Sequence, residues 1–243
     1  MPAPRKSADQ KIVDQEPTLL AVAITKLRAS TACAAMAVVV STMVLAALPS
    51  TPALAKDATF VVDDPKHRDR VSFTSDAPIE LIEGKTDAIK GTVTMDDTFD
   101  LKKPAKVHFE VNLATIDTGI ALRNEHMRNK FLQTDKYPKA VFDLTSYASS
   151  ADHLKETETA TINAKGKLTL HGKTVERDIP VKVTFFDKCK GELQNGKSCQ
   201  ILEIKATFKV PFKDHDIERP EIVFQKLADT VVVTISASAR RAL

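Results

Sequence analysis

Residues 161–172 read TINAKGKLTLHG, and apolar and polar side chains alternate along this stretch. Successive side chains of a strand point to opposite faces, so this period of two predicts a β-strand with one apolar and one wet face. Such strands are typical of antiparallel sheets that cover a core on one side only. The dipeptide His171-Gly172 predicts a tight turn into the next strand.

The same alternation recurs along most of the chain that follows residue 56. The other predicted strands are residues 59–63, 70–74, 88–95, 106–113, 139–145, 179–185, 202–212 and 230–237. Every apolar face must be covered, and long strands that close on themselves achieve this without leaving an edge. The pattern therefore favours an all-β barrel of eight or nine strands over a sandwich.

One stretch, residues 120–131, breaks the alternation. Ile120, Met127 and Phe131 fall near one stripe of a helix, and Thr118 stands in front of them as a candidate N-cap. The sequence therefore predicts one short helix between strands, near a mouth of the barrel.

The N-terminal segment has the layout of a secretory signal peptide. Lys26 and Arg28 precede an apolar run at residues 32–48, and small residues lead up to Ala55. We expect cleavage after Ala55, which leaves residues 56–243 as one domain in the periplasm or outside the cell. The run has 17 residues, and a bilayer span needs about 20. The alternative is an uncleaved membrane anchor through residues 32–48.

The charge of the predicted mature chain is nearly balanced. Removal of the leader takes away five basic and three acidic side chains and leaves 30 Lys or Arg and 29 Asp or Glu. The chain has no Trp and two Tyr. A balanced charge and few aromatic stacking platforms argue against nucleic acid as a partner.

Two cysteines, Cys189 and Cys199, flank a segment that contains Asn195-Gly196. Asn-Gly readily adopts the positive φ angles of a tight hairpin turn. In an exported chain, two cysteines across such a hairpin predict a disulfide, which adds on the order of 3 kcal/mol of stability.

Three blocks of sequence occur in a specific order and spacing. Residues 111–119 read VNLATIDTG, residues 123–138 contain RNEHMR and DKYP ahead of Phe142, and residues 166–172 read GKLTLHG. Together they resemble the YceI-like family over residues 58–238. The resemblance implies an extended antiparallel eight-stranded barrel similar to lipocalins and export to the bacterial periplasm. It also implies a polyisoprenoid or comparable lipid inside the barrel and, often, a homodimer.

On such a fold the inward side chains would line a hollow that holds the lipid. The candidate lining residues are Phe109, Val111, Leu113, Phe142, Leu144, Leu168, Leu170, Val183, Phe185, Phe208 and Val210. Each buried CH₂ contributes roughly 0.8 kcal/mol and association costs about 4–15 kcal/mol, so chains of about fifteen or more carbons are favoured. Together with this length, the resemblance to the YceI-like family implies a long-chain lipid of the isoprenoid quinone or polyprenyl type as the partner.

The predicted helix carries the densest group of polar side chains. Arg123, His126 and Arg128 are candidates for orienting a polar or phosphorylated headgroup at the barrel mouth. The alternative is a solvated helix that salt bridges and hydrogen bonds tie to the rim.

Other classes of function receive less support. The chain has no G-x-S-x-G elbow and no phosphate loop, and its six histidines lack the spacing of a metal site. We therefore expect no enzyme activity, cofactor or metal. A periplasmic enzyme would need a carboxylate within reach of His126. An interaction or stress-response module with a filled core is the main alternative, because eight-stranded barrels can be filled by their own side chains.

Overall fold

The computed structural model describes residues 56–188, 193–194, 197–218 and 226–242. The predicted leader and Cys189 lie outside the described residues. In the described part, no helix is long and apolar enough to cross a membrane.

Twelve strands account for most of this structure. They are β1 (Asp57–Val62), β2 (Arg70–Ala77), β3 (Glu80–Thr86), β4 (Ile89–Asp96), β5 (Lys106–Asn112), β6 (Lys139–Ser149), β7 (Thr159–Leu170), β8 (Lys173–Asp187), β9 (Leu193–Gln194), β10 (Lys197–Ser198), β11 (Gln200–Pro211) and β12 (Thr230–Arg241). All nine strands predicted from the alternation are present, and most are longer than predicted.

Eight of these strands close into a ring. Neighbours pair antiparallel in the order β1, β4, β5, β6, β7, β8, β11 and β12, and Phe60 of β1 then pairs with Arg241 of β12. The prediction of an antiparallel eight-stranded barrel is therefore confirmed. Closure satisfies the backbone groups that an open sheet would leave at its edges.

The strands β2 and β3 form a hairpin that completes the wall beside β12. β12 pairs with β2 through residues 232–236 and with β1 only through its last two residues. Backbone hydrogen bonds of 2.9 Å in both directions join Lys85 of β3 to Asp117. β3 was not predicted, because Gly84 and Thr86 rather than large apolar residues occupy two of its buried positions.

The predicted helix is short and has an unexpected end. α1 (Ala121–His126) continues into a π-helical turn at Met127–Phe131, and short 3₁₀ turns lie at Leu113–Thr115 and Phe212–His215. Thr118 is not the N-cap, since Ile120 holds that position without a side-chain cap. The hydroxyl of Thr118 instead donates to Asn124 Oδ1 at 2.7 Å.

The turn between β7 and β8 has the predicted form. His171 and Gly172 have φ angles of 53° and 75°, as a two-residue hairpin requires. Near the cysteines, β9 and β10 also pair antiparallel, with Gln194 opposite Lys197.

One end of the barrel is filled by side chains. The ring of Phe99 packs between Phe60 and Phe185, with centroid distances of 6.2 and 4.4 Å. Leu202 and Ala237 are buried in the same cluster. This packing forms the floor beneath the interior described next.

Candidate functional site

Above the filled end, the interior of the barrel is hollow. A cavity of about 600 Å³ runs between side chains of both the ring and the β2–β3 hairpin. Its wall is almost entirely aliphatic and aromatic. The ionisable side chains that line it are Glu80, Arg123, His126, Tyr147 and Lys226.

Most of the predicted lining residues lie on this wall. Ten of the eleven line the cavity, namely Phe109, Val111, Leu113, Phe142, Leu144, Leu168, Leu170, Val183, Phe208 and Val210. Phe185 does not line it, because its ring packs against Phe99 in the filled end. Strand parity predicted that Phe185 points inward, but not its height along the barrel.

Three glycines explain how large aromatic residues can leave the centre open. A Cβ on Gly91 would lie 2.1 Å from the ring of Phe109, and a Cβ on Gly84 would lie 2.3 Å from the ring of Phe73. Gly166 has the same relation to Phe142, at 2.5 Å. Each ring therefore lies against a neighbouring strand where a side chain is missing, rather than standing in the lumen.

The cavity has room for a long chain. With about 30 Å³ for each non-hydrogen atom, as in liquid water, its 600 Å³ corresponds to about twenty atoms. That is the size of about four five-carbon units. Apart from the five ionisable residues named above, the described residues that line the cavity are mainly aliphatic and aromatic, so the space suits hydrocarbon.

Arg123, predicted at the mouth, is fully engaged within the protein. Its Nη1 donates to Glu80 Oε1 at 2.6 Å, while Nε and Nη2 donate to the hydroxyl and carbonyl oxygens of Thr118 at 2.9 Å. The guanidinium thus ties α1 to β3 at the cavity rim. This geometry matches the alternative interpretation, a helix held to the rim.

Arg128, the third side chain predicted at the mouth, is not among the residues that line the cavity. Its Nη2 donates to the carbonyl of Ile116 at 3.1 Å. Next to it, Asp117 accepts from the amide of Gly119 and from Asn124 Nδ2, at 2.8 and 2.6 Å. The hydrogen bond from the Gly119 amide, helped by Asn124, lowers the pKa of Asp117. These contacts fix the conformation of residues 116–128, which we call the mouth segment.

Two ionisable side chains at the cavity remain available. Neither His126 nor Lys226 forms a hydrogen bond or ion pair with any residue that the structure describes. No carboxylate of the described residues bonds to His126, so the structure gives no support for a proton-transfer role of this side chain. Lys226 was missed by the sequence reasoning, because it lies outside any alternating stretch.

Other titratable groups lie away from the cavity. His215 is fully buried, its Nδ1 donates to the carbonyl of Lys173 at 3.1 Å, and burial lowers its pKa. On the outer surface, the hydrogen bond to Asp143 raises the pKa of His108. Among the described residues, no group of three or more His, Cys, Asp or Glu could hold a metal ion.

Comparison with known proteins agrees with this architecture. The model of the YceI-like domain matches residues 61–239. Protein YceI of Shigella flexneri is 42% identical over 82 residues, which cover 32% of this chain and 43% of that protein. Protein YceI of Salmonella arizonae is 39% identical over 123 residues, covering 49% and 57%. The matched segments thus span about half the length of these relatives.

Solved structures share the fold at low sequence identity. A polyisoprenoid-binding domain from Saccharophagus degradans, implicated in plant cell wall breakdown, has a TM-score of 0.55 at 16% identity and covers 77% of this chain and 100% of that one. Burkholderia cenocepacia BcnA has a TM-score of 0.54 at 20% identity, with coverage of 73% and 98%. At these identities, the likeness establishes the fold alone.

Proposed function

Because this chain belongs to the YceI-like family, we propose that it binds a long-chain isoprenoid-type lipid inside its barrel and stores or carries it across the periplasm. The observation that carries the proposal is the apolar cavity of about 600 Å³. Contact between water and such an apolar wall is unfavourable in free energy. A bound hydrocarbon chain removes both the cavity wall and its own apolar surface from water.

The size of the cavity supports a long ligand over a short one. Its capacity of about twenty non-hydrogen atoms exceeds the length of about fifteen carbons above which tight binding is expected. The solved domain from Saccharophagus degradans, which is described as polyisoprenoid-binding, supports the same ligand class by analogy of fold.

The headgroup is proposed to stay at the mouth, where His126 and Lys226 are available. Arg123 and Arg128 already donate to Glu80 and Ile116, so they serve the proposal by shaping the rim. A neutral quinone or an anionic prenyl phosphate would meet polar side chains there and apolar ones below.

The competing function, an interaction module with a filled core, gains less from the structure. A filled core needs side chains that meet across the barrel axis. The rings of Phe73, Phe109 and Phe142 instead lie against glycines at the wall.

Native mass spectrometry of protein purified gently from a periplasmic extract tests the binding proposal. We expect an adduct with the mass of a polyprenyl or quinone lipid, and uptake of added geranylgeraniol by protein that has been stripped of lipid. Protein that is always empty and takes up neither prenyl alcohols nor quinones would refute it.

Export is a separate proposal with its own test. N-terminal sequencing of the periplasmic protein is expected to begin at Lys56, directly after the proposed cleavage at Ala55. A full-length chain that sediments with membranes would instead support an anchor through residues 32–48.

A further inference from the structure

The mouth of the cavity carries an unusual concentration of exposed apolar side chains. The large hydrophobic residues that are most exposed in the described part of the chain are Ile79, Leu81, Ile120 and Leu122, at 62, 60, 51 and 61%. We call these four residues the lip. Single exposed hydrophobics are ordinary, but a group beside an opening marks an interaction site.

The lip is one surface although its residues come from distant parts of the sequence. Ile79 and Leu81 flank Glu80 at the turn between β2 and β3, and Leu122 directly precedes Arg123. Arg123 Nη1 lies 2.6 Å from Glu80 Oε1, so the two segments meet there. Because this pair is internally neutralised, it adds little net charge to the lip.

The lip is continuous with the interior. Ile120 and Leu122 are exposed to solvent and also line the cavity, whereas Ile79 and Leu81 do not line it. An apolar path therefore runs from the outside surface, past α1, to the hydrocarbon-like wall. A chain that entered along this path would not have to cross water.

We propose that the lip docks on the surface of a lipid bilayer, where the cavity loads or releases its ligand. This inference rests on the proposed lipid-binding function and assigns the surface through which the ligand passes. Four partly exposed aliphatic side chains offer on the order of 300 Å², whereas a stable protein interface needs roughly 800 Å² from each partner. The area suits shallow, reversible insertion.

Two exposed lysines lie near the mouth, together with the exposed carboxylates of Asp76, Glu83 and Glu125 on the same segments, so the charge there is mixed. Lys226 is exposed, lines the cavity opening and has no ion-pair partner among the described residues. Lys130 is also exposed, in the π-helical turn that continues α1. The two lysines can contact anionic lipid headgroups, while the apolar area of the lip supplies the main driving force for docking.

The test compares the wild-type mature chain with Ile79→Ser/Leu81→Ser in flotation with phosphatidylethanolamine and phosphatidylglycerol vesicles. These two positions are chosen because they lie outside the cavity wall. The matched control is Val232→Ser, which removes another exposed apolar side chain on β12, separated from β3 by β2. We expect the double variant to bind vesicles at least about tenfold more weakly, and the control to bind like wild type.

A second measurement separates docking from ligand binding. Uptake of geranylgeraniol from detergent-free solution should be unchanged in Ile79→Ser/Leu81→Ser, while transfer of the same probe out of vesicles should slow by about the loss in vesicle affinity. If wild type takes up the probe but never floats with vesicles, docking is refuted and binding stands. If wild type takes up no probe, the binding proposal fails, whatever flotation gives.

Association with a second copy is the other possible use of the lip. Sedimentation analysis of both proteins distinguishes it. A wild-type dimer that the double variant converts to monomer, without any vesicle binding, would assign the lip to a subunit interface and overturn the bilayer proposal.

Discussion

Filling the cavity from one wall position should shorten the ligand that the protein can hold. Ala206 lies on β11, opposite Val181 on one side and Ile235 on the other, and its small buried side chain lines the cavity. In the variant Ala206→Phe, the new ring would extend into empty space. We therefore expect the folded variant to keep a melting temperature close to that of wild type.

The expected magnitude follows from the volumes. Phe adds about six carbons beyond Ala, which at about 30 Å³ each takes nearly a third of the space and leaves room for about fourteen ligand atoms. A twenty-carbon chain would lose the burial of about six carbons, up to about 5 kcal/mol at 0.8 kcal/mol each. A ten-carbon chain still fits and should lose little.

The assay is competition binding with prenyl alcohols of ten, fifteen and twenty carbons against the variant and wild type. The matched control is Thr207→Phe, since Thr207 is the next residue of β11 and is exposed on the outer face. The control should bind all three alcohols like wild type. Equal weakening of the ten- and twenty-carbon alcohols in Ala206→Phe would refute the reasoning that the cavity volume sets chain length.

Three further predictions concern stability and the wall. Burial lowers the pKa of His215 below 6.5. Just below that pH the unfolded chain therefore binds more protons than the folded one, so the free energy of unfolding falls as pH drops below about 6.5. In urea titrations, His215→Asn should flatten this fall. Cys199→Ser should lower the free energy of unfolding by on the order of 3 kcal/mol under oxidising conditions, as measured by urea unfolding, because it removes the proposed bond to Cys189. Gly91→Ala places a Cβ 2.1 Å from the ring of Phe109, so competition binding should show weaker uptake of long alcohols, and unfolding should show a loss of about 1–3 kcal/mol.

Each of these three has a contradicting outcome. An unchanged pH slope in His215→Asn would mean that the buried imidazole does not link folding to protons. If wild type and Cys199→Ser unfold alike without reductant, no stabilising bond to Cys189 exists. Gly91→Ala with wild-type affinity for every alcohol would mean that Phe109 can move without entering the cavity.

Much of the fold was predictable because the alternation of side chains is local information. The alternation in β5, β7 and β11 predicted which side chains point into the barrel, and ten of the eleven proposed lining residues lie on the cavity wall. Phe185 has the same parity, yet it packs in the filled end with Phe99. The alternation predicts which face of the strand a side chain lies on. Its position along the barrel axis depends on the tilt of the strand and on its pairing with neighbours.

The mouth was less predictable because its contacts join distant segments. Arg123 was a candidate for binding a headgroup or for a salt bridge to the rim, but its partner Glu80 lies 43 residues away on a strand that was not predicted. Lys226 and the lip residues Ile79 and Leu81 have no periodic signal that marks them. Their significance appears only when the β2–β3 hairpin is placed beside α1.

The sequence by itself determined a closed antiparallel barrel with an apolar interior, because a period of two fixes which side chains face inward. Only the tertiary structure decided that the interior is hollow. Whether opposite walls meet depends on cross-strand register, which sets Gly91 under Phe109 and Gly84 under Phe73. That register places the aromatic rings along the wall, and no stretch of local sequence contains it.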